Sequence, residues 1–293
     1  SREHEKLLND MIHYTLSKVK ILKSEIDGIA VTQGPGLAGT LITGVSFAKG
    51  LASGLKCDII GVNHLEAHIF ANFLADPNLE YPFICLLVSG GHTQIWLVKG
   101  LRDYKLMGET RDDAAGEAFD KVARVLGLGF PGGPEIQRIS EIGNILDPEF
   151  PRPKVKNSMD FSFSGLKTSV LRRAESMGVY PKKSDDEETD QMVADIAKSF
   201  QEAIVDTIVK NTINAVKKFK AKGLIIGGGV AANQLLRNVF KKESPIELFI
   251  PRPSLCTDNG AMIASAAYFR LKNNLTYQWD LDVYPSLRID SNY

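Results

Sequence analysis

The sequence predicts an α/β protein of two mixed-sheet domains around a cleft. Three observations carry that reading. Short apolar runs repeatedly end in glycine-rich loops that open helical patterns, the grammar of folds that hold an anion at helix N-termini. A β-rich stretch near the middle of the chain, 83–109, argues against a simple parallel sheet. The chain has 293 residues, 44% of them hydrophobic, which is enough for two cores.

Leu7, Leu8, Met11, Ile12, Leu16 and Val19 recur at helical spacing and predict a helix over 3–21. Residues 28–32 read as a short strand and Gln33-Gly34-Pro35-Gly36 as a turn by composition. Residues 37–55 read as a small-residue helix packed closely through Gly39, Gly44 and Ala48. A buried strand at 58–62 runs into a helical pattern from His64 to Leu74, and Asp76-Pro77-Asn78 reads as a loop. Strands follow at 83–88, 94–98 and 105–109, the first two joined through Ser89-Gly90-Gly91-His92-Thr93 in a hairpin with a glycine-permitted tip. Residues 112–127 read as a helix with Ala118, Phe119, Val122, Ala123 and Leu126 on one side. Residues 127–134 read as a loop outside regular structure, and a second irregular stretch runs from Phe150 to Thr168. The acidic run at 185–188 reads as a solvated loop. Val193, Ile196, Ala197, Phe200, Ile204 and Ile208 mark a long amphipathic helix. A strand at 224–226 enters Gly227-Gly228-Gly229-Val230-Ala231-Ala232-Asn233, with a helix beyond it. A last strand lies at 248–250, and Cys256-Thr257-Asp258-Asn259-Gly260 precedes a small-residue helix over 261–269. The chain enters its first helical pattern at Ser1 with no leading strand, so an absent N-terminal segment is expected.

Lys and Arg balance Asp and Glu at 35 each, so no global basic field attracts nucleic acid. A polyanion would have to use local patches, for which Lys154, Lys156, Arg172, Arg173 and the lysines from Lys217 to Lys222 are candidates. Three cysteines are too few and too oddly numbered for a disulfide framework, and Cys85 lies in an apolar run as a small core residue. A reducing, cytoplasmic location is expected. No apolar run approaches membrane-spanning length and no signal peptide is visible.

The pattern His64-Leu65-Glu66-Ala67-His68 places two imidazoles on one helix face, where they can share a transition-metal ion. Glu66 lies roughly 200° round the helix from His64, off that face, which weakens a metalloprotease reading. Alone, the pair is matched equally well by a helix start with two solvated histidines. Four glycine-centred loops, at Gly90-Gly91, Gly132-Gly133, Gly165 and Gly227-Gly228-Gly229, let backbone N–H groups approach a phosphate or ribose. Each alone reads as a turn. Their density, with Asp120, Asn233 and Asp258 beside loops, favours a nucleotide cleft.

Asn63-His64-Leu65-Glu66-Ala67-His68, Leu87-Val88-Ser89-Gly90-Gly91-His92-Thr93, Gly116-Glu117-Ala118-Phe119-Asp120-Lys121, Pro131-Gly132-Gly133-Pro134, Phe163-Ser164-Gly165-Leu166-Lys167-Thr168, Gly228-Gly229-Val230-Ala231-Ala232-Asn233 and Cys256-Thr257-Asp258-Asn259 occur in that order over almost the whole chain. This set resembles the signature of the TsaD family, the tRNA threonylcarbamoyladenosine transferases once labelled sialoglycoprotein endopeptidases, in its bacterial form. The resemblance implies an actin-like ATPase (ASKHA) superfamily fold of two duplicated ribonuclease H-like domains with mixed sheets around a nucleotide and metal cleft. It implies an N-terminal domain of 1–80 plus 268–293, lacking its N-terminal hairpin with the phosphate loop, and a C-terminal domain of 81–267.

Carried onto this chain, the family's metal ligands are His64, His68 and Asp258. Its substrate contacts are Leu87, Val88, Ser89, Gly90, Gly91, Asp120, Gly133 and Asn233, and a further contact, carboxylate-bearing in some relatives, falls on Gln137. Two nitrogens and an oxygen with positions left open form a catalytic donor set, compatible with Fe²⁺ or Zn²⁺. The implied substrate is threonylcarbamoyl-adenylate, with ATP, ADP and AMP able to enter the same cleft. The implied acceptor is N6 of adenosine 37 in tRNAs reading codons that begin with A, with release of AMP. The implied partners are tRNA, a TsaB-like paralogue and a TsaE-like ATPase, with no membrane. No residue stands out as a general base. The rival readings are an ATPase or small-molecule kinase of the same fold, in which His64, His68 and Asp258 would be idle, and a non-catalytic scaffold paralogue, which should lack them.

Overall fold

A computed structural model describes residues 2–146, 149–181, 186–273 and 280–291. In chain order the elements are α1 (Arg2–Val19), β1 (Gly28–Gly34), α2 (Ala38–Leu55), β2 (Asp58–Asn63), α3 (His64–Ala75), β3 (Phe83–Val88), β4 (Thr93–Gly100), β5 (Asp103–Glu109), α4 (Ala115–Val125), α5 (Gly132–Ser140), α6 (Ser164–Ser176), α7 (Glu187–Phe219), β6 (Gly223–Gly227), α8 (Gln234–Glu243), β7 (Glu247–Phe249), α9 (Pro253–Cys256) and α10 (Gly260–Lys272). The chain divides into two compact units, residues 1–74 with 259–293, and residues 75–258. No helix among the described residues is long and apolar enough to cross a membrane.

In the first unit β1 and β2 pair in parallel, Gly28 opposite Asp58. Val45, Ala48 and Ala52 of α2 pack with Ile59 and Leu281 in its core. α1 is helical as its periodicity requires, but it buries no residue, and Leu7, Met11, Tyr14 and Val19 are exposed. β1 runs on through Gln33 and Gly34, where composition suggested a turn. The reason is a distant segment: Tyr284 N donates to Gln33 O (2.8 Å) and Gly36 N to Pro285 O (3.1 Å). A Cβ on Gly34 would lie 2.0 Å from Tyr284 O, so only glycine admits that approach. The expected division at 267/268 falls inside α10. That helix belongs whole to the first unit, where Ser265 Oγ donates to Phe70 O (3.0 Å) and Arg270 pairs with Glu66.

The second unit is a five-stranded sheet of order β5-β4-β3-β6-β7. β3, β4 and β5 form an antiparallel meander, and β6 and β7 continue in parallel from the other edge of β3. Every residue of β3 is buried, as expected of a central strand covered on both faces. Cys85 is fully buried there, and burial pushes its thiol pKa well up.

α7 starts earlier than the sequence suggested, and α5 and α6 are helices where it suggested only irregular chain; in each case a side chain supplies an acceptor to the open N-terminus. Asp120 Oδ1 accepts from Gly132 N (2.7 Å), so Gly132, Gly133 and Pro134 form the first turn of α5, where proline is tolerated. Asp186 accepts from Thr189 N (2.8 Å), so Glu187 and Glu188 open α7 rather than lie in a loop, with their charge near the positive end of the helix dipole. Asp185 of that acidic run lies outside the described residues.

Asp112 starts α6 by accepting from Phe163 N (2.7 Å), Ser164 N (3.3 Å), Ser162 Oγ (2.6 Å) and Ser164 Oγ (2.8 Å). Partial burial alone would raise its pKa, but these four bonds outweigh burial and hold it below the ordinary carboxylate value. A depressed folded pKa gives stabilisation that is complete above the unfolded value, near 3.9, and is lost as pH falls through the folded value. Asp112→Asn should therefore melt below the wild type at pH 7, with a gap that closes below about pH 4. A gap that stayed constant from pH 7 to pH 3 in thermal unfolding would rule out this ionisation as its source.

Candidate functional site

The histidine helix begins abruptly. Asn63 ends β2 and caps α3, its Oδ1 accepting from Leu65 N (2.8 Å) and Glu66 N (3.2 Å). His64 is therefore the first helical residue and His68 lies one turn on. Their rings meet edge to face, centroids 4.9 Å apart at 79°. Asp258 directly precedes Asn259, the N-cap of α10, whose Oδ1 accepts from Met262 N (2.9 Å). One ligand atom from each of His64, His68 and Asp258 lies within 4.8 Å of the others. His68 is buried, His64 partly buried and Asp258 exposed, so a cation there would have protein on one side and an approach on the other. Two nitrogens and one carboxylate at that spacing suit Zn²⁺ or Fe²⁺.

Three of the four glycine loops contribute Gly90, Gly133 and Gly229 to a cavity of about 410 Å³ within the second unit, whereas Gly165, read as a fourth, lies in the first turn of α6 and does not line it. Its glycines fall into two kinds. A Cβ on Gly116 would sit 2.7 Å from Ser89 O, one on Gly132 2.6 Å from Phe119 O, and one on Gly228 2.4 Å from Val88 O. These three are needed for backbone to pack on backbone, and Gly228 also has φ +96°, a region that favours glycine. Gly90, Gly133 and Gly229 line the cavity, and a Cβ on any of them would meet no protein atom within 4 Å. Pro131, Pro134 and Val230 add apolar wall, and Asp120 is the one carboxylate among the lining residues.

The family model described as TsaD: tRNA N6-adenosine threonylcarbamoyltransferase matches residues 1–265. The chain belongs to the TsaD family. A relative of that name from Desulfitobacterium hafniense is 47% identical over 293 residues, covering 99% of this chain and 84% of that protein. One from Dictyoglomus turgidum is 51% identical over 271 residues, covering 92% and 79%. The protein is thus similar to transferases of tRNA modification and is itself an enzyme of that class. Among solved structures, HypF from T. kodakarensis superposes with a TM-score of 0.63 at 16% identity, covering 90% of this chain and 43% of that one. HypF in a phosphate- and nucleotide-bound form gives 0.63 at 14%, covering 91% and 50%. This chain spans half of HypF or less, and the likeness is one of fold alone, a mixed α/β architecture.

Of the TsaD contacts carried onto this chain, Gly90, Asp120, Gly133, Asn233 and Gln137 line the cavity. Leu87, Val88, Ser89 and Gly91 do not: Leu87 and Val88 are buried in β3, where Val88 O lies against Gly228. Ser89 N is taken by His92 O (2.8 Å), and Gly90 is the residue of this loop that lines the cavity. The tip glycines have no positive φ, so the hairpin does not need them for its turn. They leave open space.

Asn233 does double duty. Its Oδ1 caps α8 by accepting from Leu236 N (3.0 Å), and its Nδ2 donates to Gln201 Oε1 (2.7 Å). Gln201 donates to Ser140 Oγ (2.8 Å), and Gln137 Oε1 accepts from Gln234 N (2.7 Å), so α5, α7 and α8 are tied together behind the cavity. The sequence reading missed Gln201 and Ser140. Gln201 follows Ala197 by one helical turn on the apolar stripe of α7, and a polar residue at a core position was the available signal.

Proposed function

We propose that this TsaD-family protein transfers the threonylcarbamoyl group from threonylcarbamoyl-adenylate to N6 of adenosine 37 in tRNAs that read codons beginning with A. N6 forms a bond to the carbamoyl carbon and loses one proton, while the bond from that carbon to the phosphate oxygen breaks and AMP leaves. The observation that carries the reading is the His64, His68 and Asp258 donor set, which a kinase or ATPase of this fold would leave idle. An Fe²⁺ or Zn²⁺ ion held there supplies Lewis-acid polarisation of the threonylcarbamoyl carbonyl. Thr257, which lines the cavity, is the residue immediately before Asp258 in the chain.

The cavity's features suit the adenylate. The backbone of Gly90, with no Cβ in the way, lets a phosphate or the developing oxyanion approach its N–H. Pro131, Pro134 and Val230 take the base, and Asp120 accepts from a ribose hydroxyl while it holds Gly132. For tRNA, Lys154, Lys210 and Lys217 border a second depression of about 350 Å³ with Ser158, Asn211, Asn214 and a single acid, Glu243, a locally basic lining on a chain of zero net charge, although Lys210 also pairs with Asp206. The exposed apolar face of α1 suits docking of a TsaB-like paralogue, with a TsaE-like ATPase completing the system.

Incubation with threonylcarbamoyl-adenylate, unmodified tRNA and both partners should yield modified adenosine and AMP in equal amounts. Binding of tRNA by this chain alone should be weak and fall steeply with salt, because phosphate contacts release counterions. AMP or ADP released without modified adenosine would favour the ATPase reading. Full-rate modification without partners, insensitive to salt, would show the partner assignment to be mistaken.

A further inference from the structure

We infer that the buried ion pair between Glu66 and Arg270 is a positioning device that sets the spacing of the metal-binding side chains; this rests on the metal reading of His64, His68 and Asp258. Arg270 Nε donates to Glu66 Oε2 at 3.2 Å, and Nη2 donates to the same oxygen. Both side chains are essentially sealed from solvent, at 2% and 1% exposure. Their neighbourhood is aromatic: Phe70 stacks on Phe73 at 5.3 Å, and Phe269 lies 5.0 Å from each.

Stability does not account for this pair. Taking two charges out of water is costly, and apolar side chains of similar volume commonly hold two elements together as well or better. An ion pair adds direction. Two N–H groups converging on one oxygen fix the rotation and register of α3 against α10, whereas greasy contacts tolerate a slip. Glu66 stands between His64 and His68, so the helix that carries both nitrogen donors moves with it. Arg270 stands in the helix whose cap, Asn259, follows the oxygen donor Asp258.

The magnitudes make register matter. A slip of one residue moves a helix by about 1.5 Å and turns it by about 100°. A metal site tolerates ligand displacements of only about 0.2 Å. The small bond from Ser265 Oγ to Phe70 O belongs to the same helix pair, but it carries no charge and fixes one point only.

The test compares the full chain with the double variant Glu66→Met/Arg270→Met. Co²⁺ serves as probe, with affinity read by competition with a chelator and ligand geometry by its visible absorption. Melting temperature and circular dichroism report the fold. The double variant should melt at or above the wild-type temperature, yet bind Co²⁺ about 10- to 100-fold more weakly, as supporting residues of metal sites do, with a changed spectrum. Wild-type affinity and spectrum in a double variant that keeps its melting temperature would overturn the inference. If the double variant does not fold, Arg270→Lys decides, since it keeps the charge but loses the fork. Weakened Co²⁺ binding by a folded Arg270→Lys protein supports positioning, and unchanged binding overturns it. Failure of the wild type itself to bind one Co²⁺, or binding that survives His64→Ala, would overturn the metal reading instead.

Discussion

His68→Ala is expected to remove the bound metal and to lower adenosine modification by more than about 100-fold, since loss of a mere supporting hydrogen bond at a metal site already costs 10- to 100-fold. His68 is the buried member of the three-residue set, so no water replaces its nitrogen without entering the protein. His64→Ala and Asp258→Ala should follow the same pattern, because three protein donors leave none to spare. Metal content by mass spectrometry and modified nucleoside by chromatography are the two readouts, with circular dichroism confirming that α3 persists. Full metal occupancy in a His64→Ala/His68→Ala double variant would end the assignment. Activity lost with metal retained would move these residues from ligation to some other role.

A second large effect separates two neighbouring glycines. Gly228→Ala should destabilise the protein by on the order of 3 kcal/mol, because φ is +96° and the new Cβ would lie 2.4 Å from Val88 O. At about 2–4 °C per kcal/mol for a unit of this size, its melting point should fall by roughly 6–12 °C. Gly229→Ala meets no protein atom within 4 Å and should leave the melting point nearly unchanged. Its methyl group projects into the cavity, so AMP affinity measured by calorimetry should drop by about tenfold, the equivalent of roughly 1.4 kcal/mol. Normal AMP binding by Gly229→Ala would remove this cavity as the adenylate site. A wild-type melting point for Gly228→Ala would mean that the β6 loop relaxes more freely than its contact with Val88 implies.

Where a pattern repeats locally, sequence and structure agree closely. The strand at 58–62 and the helix opening at His64 are visible in burial pattern and composition alone, and the observed β2 and α3 differ by a residue at their ends. The glycine loops are recognisable, but not which glycine packs and which opens, because that depends on a carbonyl brought from another element or loop. Helices α5 and α6 go unpredicted for the same reason. Gly132 and Ser164 read as loop residues until Asp120 and Asp112, twelve and fifty-two positions away, supply acceptors. Strand β1 outruns its predicted end because Tyr284 lies beside it. The candidate metal donors are legible as a pair of histidines; the carboxylate joins them through the family's motif order, and one ligand atom of each lies within 4.8 Å of the others.

The split composition of the first unit has a consequence for its synthesis. Glu66 and Arg270 are 204 residues apart in the chain. At about 5–20 residues per second, roughly 10–40 s pass on the ribosome between the appearance of the acid and that of its base. Through that interval α3 carries Glu66 before its partner Arg270 has been made, and its aromatic face lacks Phe269. The second unit, continuous from 75 to 258, has no such dependence and is complete before α10 emerges. Vectorial synthesis therefore imposes an order: the glycine-lined cavity of the second unit closes first, and the helix bearing the histidines is locked last.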